Sequence, residues 1–214
     1  MGRILRVPTA PGTRDAIVAF LTRELGTDKL CGRALDNRIG GFIIAEVMAR
    51  LSKRKSRLPS TVYAVNAVQE EIGGNGARMI AHRLMPDVAI VLDVTHATDA
   101  PGIDEKEQGK HHMGTGPVIE RGSVLHPRIS ELLLDTAAAE EIPHTVAASA
   151  GRTGTDADAI HFARDGVPTG LVSVPLRYMH SPVELVQLDD VENTAKLLAA
   201  FALGLDAGEA FARS

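Results

Sequence analysis

The run "DVAIVLDV", residues 87 to 94, decides the fold. Its interior is apolar and rich in β-branched residues, with almost no polar alternation. A strand covered on both faces reads this way, and such strands belong to largely parallel sheets lying between helices. Working outward, "TVYAVNAV" (61–68) and "GLVSVP" (170–175) have the same character, and "HTVAAS" (144–149) is a weaker fourth. Between these runs, apolar residues recur at helical spacing: Ile39, Phe42, Ile43, Val47 and Leu51; then Ile129, Leu132, Leu133 and Ala137; then Val191, Ala195, Leu198 and Ala199. Alternating strands and helices predict an α/β fold, a three-layer α/β/α domain with a mostly parallel central sheet. The segment 99–124 is glycine-rich, charged and without periodicity, which predicts a long loop or an edge excursion.

The 214 residues suffice for one well-buried domain, and 44% hydrophobic content is ordinary for a folded chain. A formal charge of −4, from 27 acidic and 23 basic residues, offers no strong field for nucleic acid or a membrane surface. The basic run "RLSKRKSR" (50–57) has no interleaved aromatics and reads as a solvated helix end. Cys31 is the single cysteine, so neither a disulfide framework nor a thiolate metal cage is available. The sequence as given opens on no charged-then-apolar leader, and its apolar runs are short of the ~20 residues of a spanning helix, so a cytoplasmic location is the expectation.

In an open α/β sheet, ligands bind beyond the carboxyl ends of the strands. Glu70 and Glu71 follow the run 61–68, Asp93 closes the run that begins at 87, and His180 follows the run 170–175, while Asp36 stands just before a helix. Two adjacent carboxylates repel unless they are solvated, protonated or neutralised by a cation. Oxygen donors with an imidazole suit zinc, cobalt or manganese. Each residue has a plainer alternative: Asp36 as a helix N-cap, Asp93 as a turn cap, His180 as an ordinary loop histidine, "EE" as a solvated face.

The strings "ALDNRIGG" (34–41), "VQEEIGGNGA" (68–77), "LDVTHATDAPG" (92–102), "GTGPVI" (114–119), "GTDADA" (154–159) and "PLRYMHSPVE" (175–184) occur in that order. Together they resemble the cytosolic di-metal aminopeptidases of the tetrahedral aminopeptidase and glutamyl aminopeptidase type, over about residues 31 to 204. The resemblance implies that Asp36 bridges two metals, that Glu71 ligates one of them, and that Asp93 and His180 bind one metal each. Glu70 is then the general base, drawing a proton from a metal-activated water that attacks the first peptide carbonyl. The implied cofactor is a divalent metal, zinc or cobalt, two per subunit in the family. The implied substrates are peptides with a free N-terminus, and the implied assembly is a homo-oligomer.

The family carries an earlier His-x-Asp motif, whose His completes the second metal site, yet no His precedes His82 here. One well-formed site is therefore expected, from Asp36, Glu71 and His180; Asp36 and Asp93 alone make a poor second. His111 and His112 stand in a loop tract expected to face solvent. Residues 1–30 are expected to be the tail of the family's inserted small β-domain, 31–206 the catalytic domain incomplete at the N-terminus, and 207–214 a C-terminal tail. Self-assembly is expected to be impaired relative to the family. Two other functions fit the same residues: a non-catalytic metal-binding remnant, and a mono-metal amidohydrolase.

Overall fold

The computed structural model describes residues 23–54, 58–205 and 211. The chain runs β1 (Arg23–Leu25), β2 (Lys29–Gly32), α1 (Leu35–Ser52), α2 (Asn75–Leu84), β3 (Ala89–His96) and α3 (Glu105–Gln108). It continues through β4 (Val118–Gly122), α4 (Pro127–Ala139), β5 (Thr145–Ser149), α5 (Ala157–Ile160), β6 (Thr169–Arg177), β7 (Glu184–Gln187) and α6 (Leu188–Gly204).

β6 is the spine of the sheet. It pairs in parallel with β3 along its length, from Ala89 opposite Thr169 to His96 opposite Leu176. Its other edge is shared between β4, antiparallel at Ser173 and Val172, and β7, antiparallel at Leu176 and Arg177. β5 extends the sheet beyond β4 in parallel, while β2 and β1 extend it beyond β7 antiparallel. The layered α/β architecture is the expected one, but the sheet is mixed rather than mostly parallel. The short arm after β6 turns straight back as β7, and a tight return of this kind can only pair antiparallel.

Side-chain parity sets the layers. On β3, Val94 joins Ile90 and Leu92 in the larger core; on β6, Val172, Val174 and Leu176 face the same way. That core is completed by Ile39, Ile43 and Val47 of α1, Ile129 and Leu133 of α4, and Val191, Ala195 and Leu198 of α6. The alternate residues Ala89, Val91 and Leu171 face the opposite side, against Ala81 of α2, Ala157 of α5 and Ile160. The helical stripes expected for α1, α4 and α6 are those buried, with Phe42 and Leu132 partly covered.

Two further expectations fail. The run 61–68 is not a strand: Tyr63 and Val68 are 63% and 66% exposed. Its one backbone–backbone hydrogen bond among the described residues is from Gly76 N–H to the Val68 carbonyl at 3.0 Å. A strand needs a neighbour to take its amides, and no described strand lies beside this one. The outer edge of β3 is likewise unpaired among the described residues. Conversely, the tract 99–124 contains a strand, β4, hidden in the sequence by Glu120 at its centre. That carboxylate is buried and accepts hydrogen bonds from Ser173 Oγ at 3.0 Å and Ser149 Oγ at 3.2 Å.

The expectation for residues 1–30 lies outside the described residues up to 22, and residues 23–32 form the β1–β2 hairpin. The basic run is described only to Arg54, where α1 has ended. No helix among the described residues is long and apolar enough to cross a membrane.

Candidate metal centre

α1 starts irregularly. Asp36 and Asn37 have non-helical backbone angles, and Ala34, at φ 52°, precedes them. The cap is supplied by Asn37, whose Oδ1 accepts the Gly40 amide at 2.9 Å, and not by Asp36. A Cβ on Gly40 would lie 2.4 Å from that Oδ1, so a residue without a side chain is required there. Asn37 also donates through Nδ2 to the Leu92 carbonyl at 2.8 Å and to Asp93 Oδ1 at 3.1 Å, fastening the start of α1 to the middle of β3. Freed from capping, the Asp36 side chain turns into the site, where its carboxylate is only 11% exposed.

Glu184 holds the other half. Its carboxylate, 2% exposed as a residue, accepts the Leu35 amide at 2.5 Å, the Asp36 amide at 3.2 Å and the His180 amide at 3.0 Å. One buried anion thus ties the segment carrying Asp36 to the β6–β7 turn carrying His180. The turn is sharp, with Tyr178 and His180 both at φ 60°. Sequence reasoning missed Glu184 as a site residue. Its signal was present: an acid four residues after His180, inside the otherwise apolar run "VELVQL" (183–188).

Asp36, Glu71 and His180 come together, one donor atom from each lying within 4.8 Å of the others. His180 Nε2 is 3.0 Å from Asp36 Oδ2 and 3.5 Å from Glu71 Oε2. Asp93, expected as a ligand, is not one of this group; its Oδ1 is engaged by Asn37 and by the Val94 amide at 2.9 Å. His111 and His112 are not part of it. His111 is 2% exposed with Nδ1 2.7 Å from Thr145 Oγ1, contrary to the expected solvent exposure, and His112 pairs with Glu105. Glu70 is half-buried next to Glu71, and the two line an open cleft of about 660 Å³ with the segment 152–162.

The carboxylates crowd one another. Burial raises the Asp36 pKa, and Glu71 adds to it. Burial also raises that of Glu70, with Asp156, Glu71 and Asp36 adding repulsion. Asp93 is pushed up to about 8, first by burial. Asp156, in the "GTDADA" string, was not singled out from sequence; its pKa is raised by burial, and its Oδ1 is buried without a hydrogen-bond partner. Gly74, at φ +64°, lets the Glu70–Glu71 turn approach it, since a Cβ there would sit 3.1 Å from that oxygen. Three oxygen and nitrogen donors within reach of one another, with Glu70, Asp93 and Asp156 nearby in no ion pair among the described residues, fit a divalent cation.

The M42 glutamyl aminopeptidase family model matches residues 11–197. The chain is 38% identical over 166 residues to a lysyl aminopeptidase of Pyrococcus furiosus, covering 78% of this chain and 46% of that protein. It is 32% identical over 177 residues to the glutamyl aminopeptidase of Lactococcus lactis, covering 83% of this chain and 48% of that one. Among solved structures it resembles a TET aminopeptidase from a marine sediment archaeon, Thaumarchaeota archaeon SCGC AB-539-E09. The TM-score there is 0.81 at 35% identity, over 86% of this chain and 52% of that one. The chain therefore spans about half the length of the relatives it matches. Because the family match extends over most of its length and takes in the segments of Asp36, Glu70, Glu71, Asp93 and His180, the chain belongs to the M42 glutamyl aminopeptidase family.

Proposed function

We propose that the chain is a metal-dependent aminopeptidase of the M42 type, with residues 31–206 as its catalytic domain. The observation that carries this reading is the convergence of Asp36, Glu71 and His180 on one point, with Glu70 beside them on an open cleft. A divalent cation held there, zinc or cobalt, would supply Lewis-acid polarisation of the scissile carbonyl and acidify a water molecule.

The remaining work falls to side chains. Glu70 takes a proton from the attacking water and returns it to the leaving amine; a carboxyl raised by burial and by its acidic neighbours is nearer to neutral pH, which suits both transfers. The negative cluster attracts the positively charged amino terminus of a peptide, so a free N-terminus is the feature recognised. Glu184 and Asn37 act at one remove, fixing the backbone and the approach of the donors. The engagement of Asp93 by Asn37 and Val94 favours one strongly held metal over two.

The Pyrococcus horikoshii TET1 peptidase, 28% identical with TM-score 0.73 over 86% of this chain and 53% of that one, assembles into a tetrahedron or an octahedral shell. Homo-oligomerisation is accordingly a property of such relatives, and for this chain the reading is self-assembly impaired relative to them. The outer edge of β3, unpaired among the described residues, is a template for irregular association, and light scattering on the purified chain reads the outcome: a discrete, stable shell contradicts the reading. We place the protein in the cytoplasm on the same reading. The test of function is hydrolysis of an unblocked aminoacyl anilide with zinc or cobalt. Turnover that vanishes when the amino group is acetylated supports the reading, and equal turnover of both compounds points to a general amidohydrolase.

A further inference from the structure

We propose that the cleft beside Glu70 and Glu71 carries a carboxylate-binding subsite, in which Arg78, assisted by Arg152, receives an anionic group of a short peptide. The inference rests on the aminopeptidase reading and deepens it by naming the class of substrate.

Arg78 and Arg152 are the cations among the residues lining the cleft, facing the same space as Glu70 and Glu71. Arg78 lies on α2, is exposed, and its side chain makes no hydrogen bond or ion pair among the described residues. A guanidinium presents five donors in a planar fork suited to a carboxylate. One left without a partner beside a cluster of carboxylates is available to a ligand. Arg152 is 85% exposed and touches Asp158 Oδ2 at 3.3 Å. Asp158 is committed elsewhere, accepting the Thr153 amide at 2.8 Å, Thr153 Oγ1 at 2.9 Å and the Gly154 amide at 3.0 Å, so it neutralises Arg152 only partly. Phe162, 75% exposed on the same cleft, offers an apolar surface for the stem of a side chain or a peptide methyl.

Charge thus has two signs along one cleft. The acidic side attracts an ammonium and the arginine side a carboxylate, which is the charge pattern of a short zwitterionic peptide. A volume of about 660 Å³ is of the size that holds a ligand of a few residues. The carboxylate has two sources, the peptide's own C-terminus or an acidic side chain.

The experiment measures peptide affinity by calorimetry in chelator, where no metal-dependent turnover competes. Ala-Ala-Ala is compared with its C-terminal amide, and Ala-Glu-Ala amide with Ala-Gln-Ala amide. In the parent chain, at least one of the two acidic members binds about tenfold more tightly than its neutral counterpart, the usual scale for a charge-assisted pair in a half-enclosed site. The first pair reports a C-terminal carboxylate, the second a side chain. In Arg78→Met the preference falls below about threefold, while Arg78→Lys keeps part of it and Arg152→Met reduces it less. Circular dichroism confirms that these exposed variants stay folded. Equal affinity within both pairs overturns the proposal, and so does a preference that survives Arg78→Met unchanged. The two readings separate: a preference that persists while zinc- or cobalt-loaded chain hydrolyses nothing supports the subsite and removes the aminopeptidase. Hydrolysis without any preference does the reverse.

Discussion

Replacing Glu184 by Gln tests how the site is held together. The carboxylate accepts three amides, those of Leu35 at 2.5 Å, Asp36 at 3.2 Å and His180 at 3.0 Å, with both oxygens in use. Gln has a single acceptor oxygen. Its best orientation keeps that oxygen on Leu35 and Asp36 and turns two N–H donors toward the His180 amide. One charged hydrogen bond is lost, a buried donor faces another donor, and the two remaining bonds lose their charge. At ~1.5–3 kcal/mol for the lost bond to a charged group, and ~1–3 kcal/mol for an orphaned buried donor, the sum is about 2.5–6 kcal/mol. Because the same anion positions both Asp36 and His180, zinc affinity falls as well, by ~10–100-fold, the scale for groups that orient metal ligands. Urea unfolding in chelator reads the first effect and competitive zinc titration the second. Glu120→Gln is the control: it is also a buried acid in the sheet, but its partners are the hydroxyls of Ser173 and Ser149, which can rotate to accept from an amide. It should leave zinc affinity unchanged. If Glu184→Gln unfolds at the parental midpoint and binds zinc as tightly as the parent, the reasoning is wrong.

Glu70→Gln should remove hydrolysis by ~10²–10⁴-fold with metal content unchanged, whereas Glu71→Gln should lower zinc stoichiometry along with rate; the opposite assignment exchanges their roles. Gly40→Ala places a Cβ 2.4 Å from Asn37 Oδ1 and should destabilise by about 1–2 kcal/mol in urea despite the better helix propensity of Ala, since Asn37 must release Leu92 or Asp93. In chelator, stability should fall as pH rises from 4 to 8. Burial raises Asp190 to about 6, against the lowering effect of the Gly114 and Gly116 amides, and Asp93 to about 8. Both carboxyls hold their proton more tightly folded than unfolded, so their contribution to stability is fully present below the unfolded value of about 4 and is lost as pH rises through each folded pKa. Asp93→Asn should flatten the stretch from pH 6 to 8; urea midpoints that rise over that stretch in the parent would contradict the sign.

The parts of the fold legible in the sequence were those written in local periodicity. The uninterrupted apolar runs of β3 and β6 and the stripes of α1, α4 and α6 follow from burial on both sheet faces. What failed depended on partners distant in sequence. The run 61–68 has the composition of a strand but no neighbour to bond among the described residues, and β4 is a strand despite Glu120 because two serines from other strands satisfy it. At the site, the residues with familiar metal-binding chemistry, Asp36, Glu71 and His180, stood out. The supporting residues did not. Asn37 resembles a plain helix cap, and Glu184 a surface acid, until backbone amides 148 and 149 positions away in sequence are seen to converge on it. Asp156 is distinguished only by the burial of one oxygen, which no spacing reveals.

The central claim is that Asp36, Glu71 and His180 hold one divalent cation beside Glu70. Anomalous diffraction from crystals soaked with cobalt tests it most directly. A strong peak is expected at about 2.0–2.2 Å from His180 Nε2 and from carboxylate oxygens of Asp36 and Glu71. A peak at other residues, or none at these three under saturating cobalt, would contradict it.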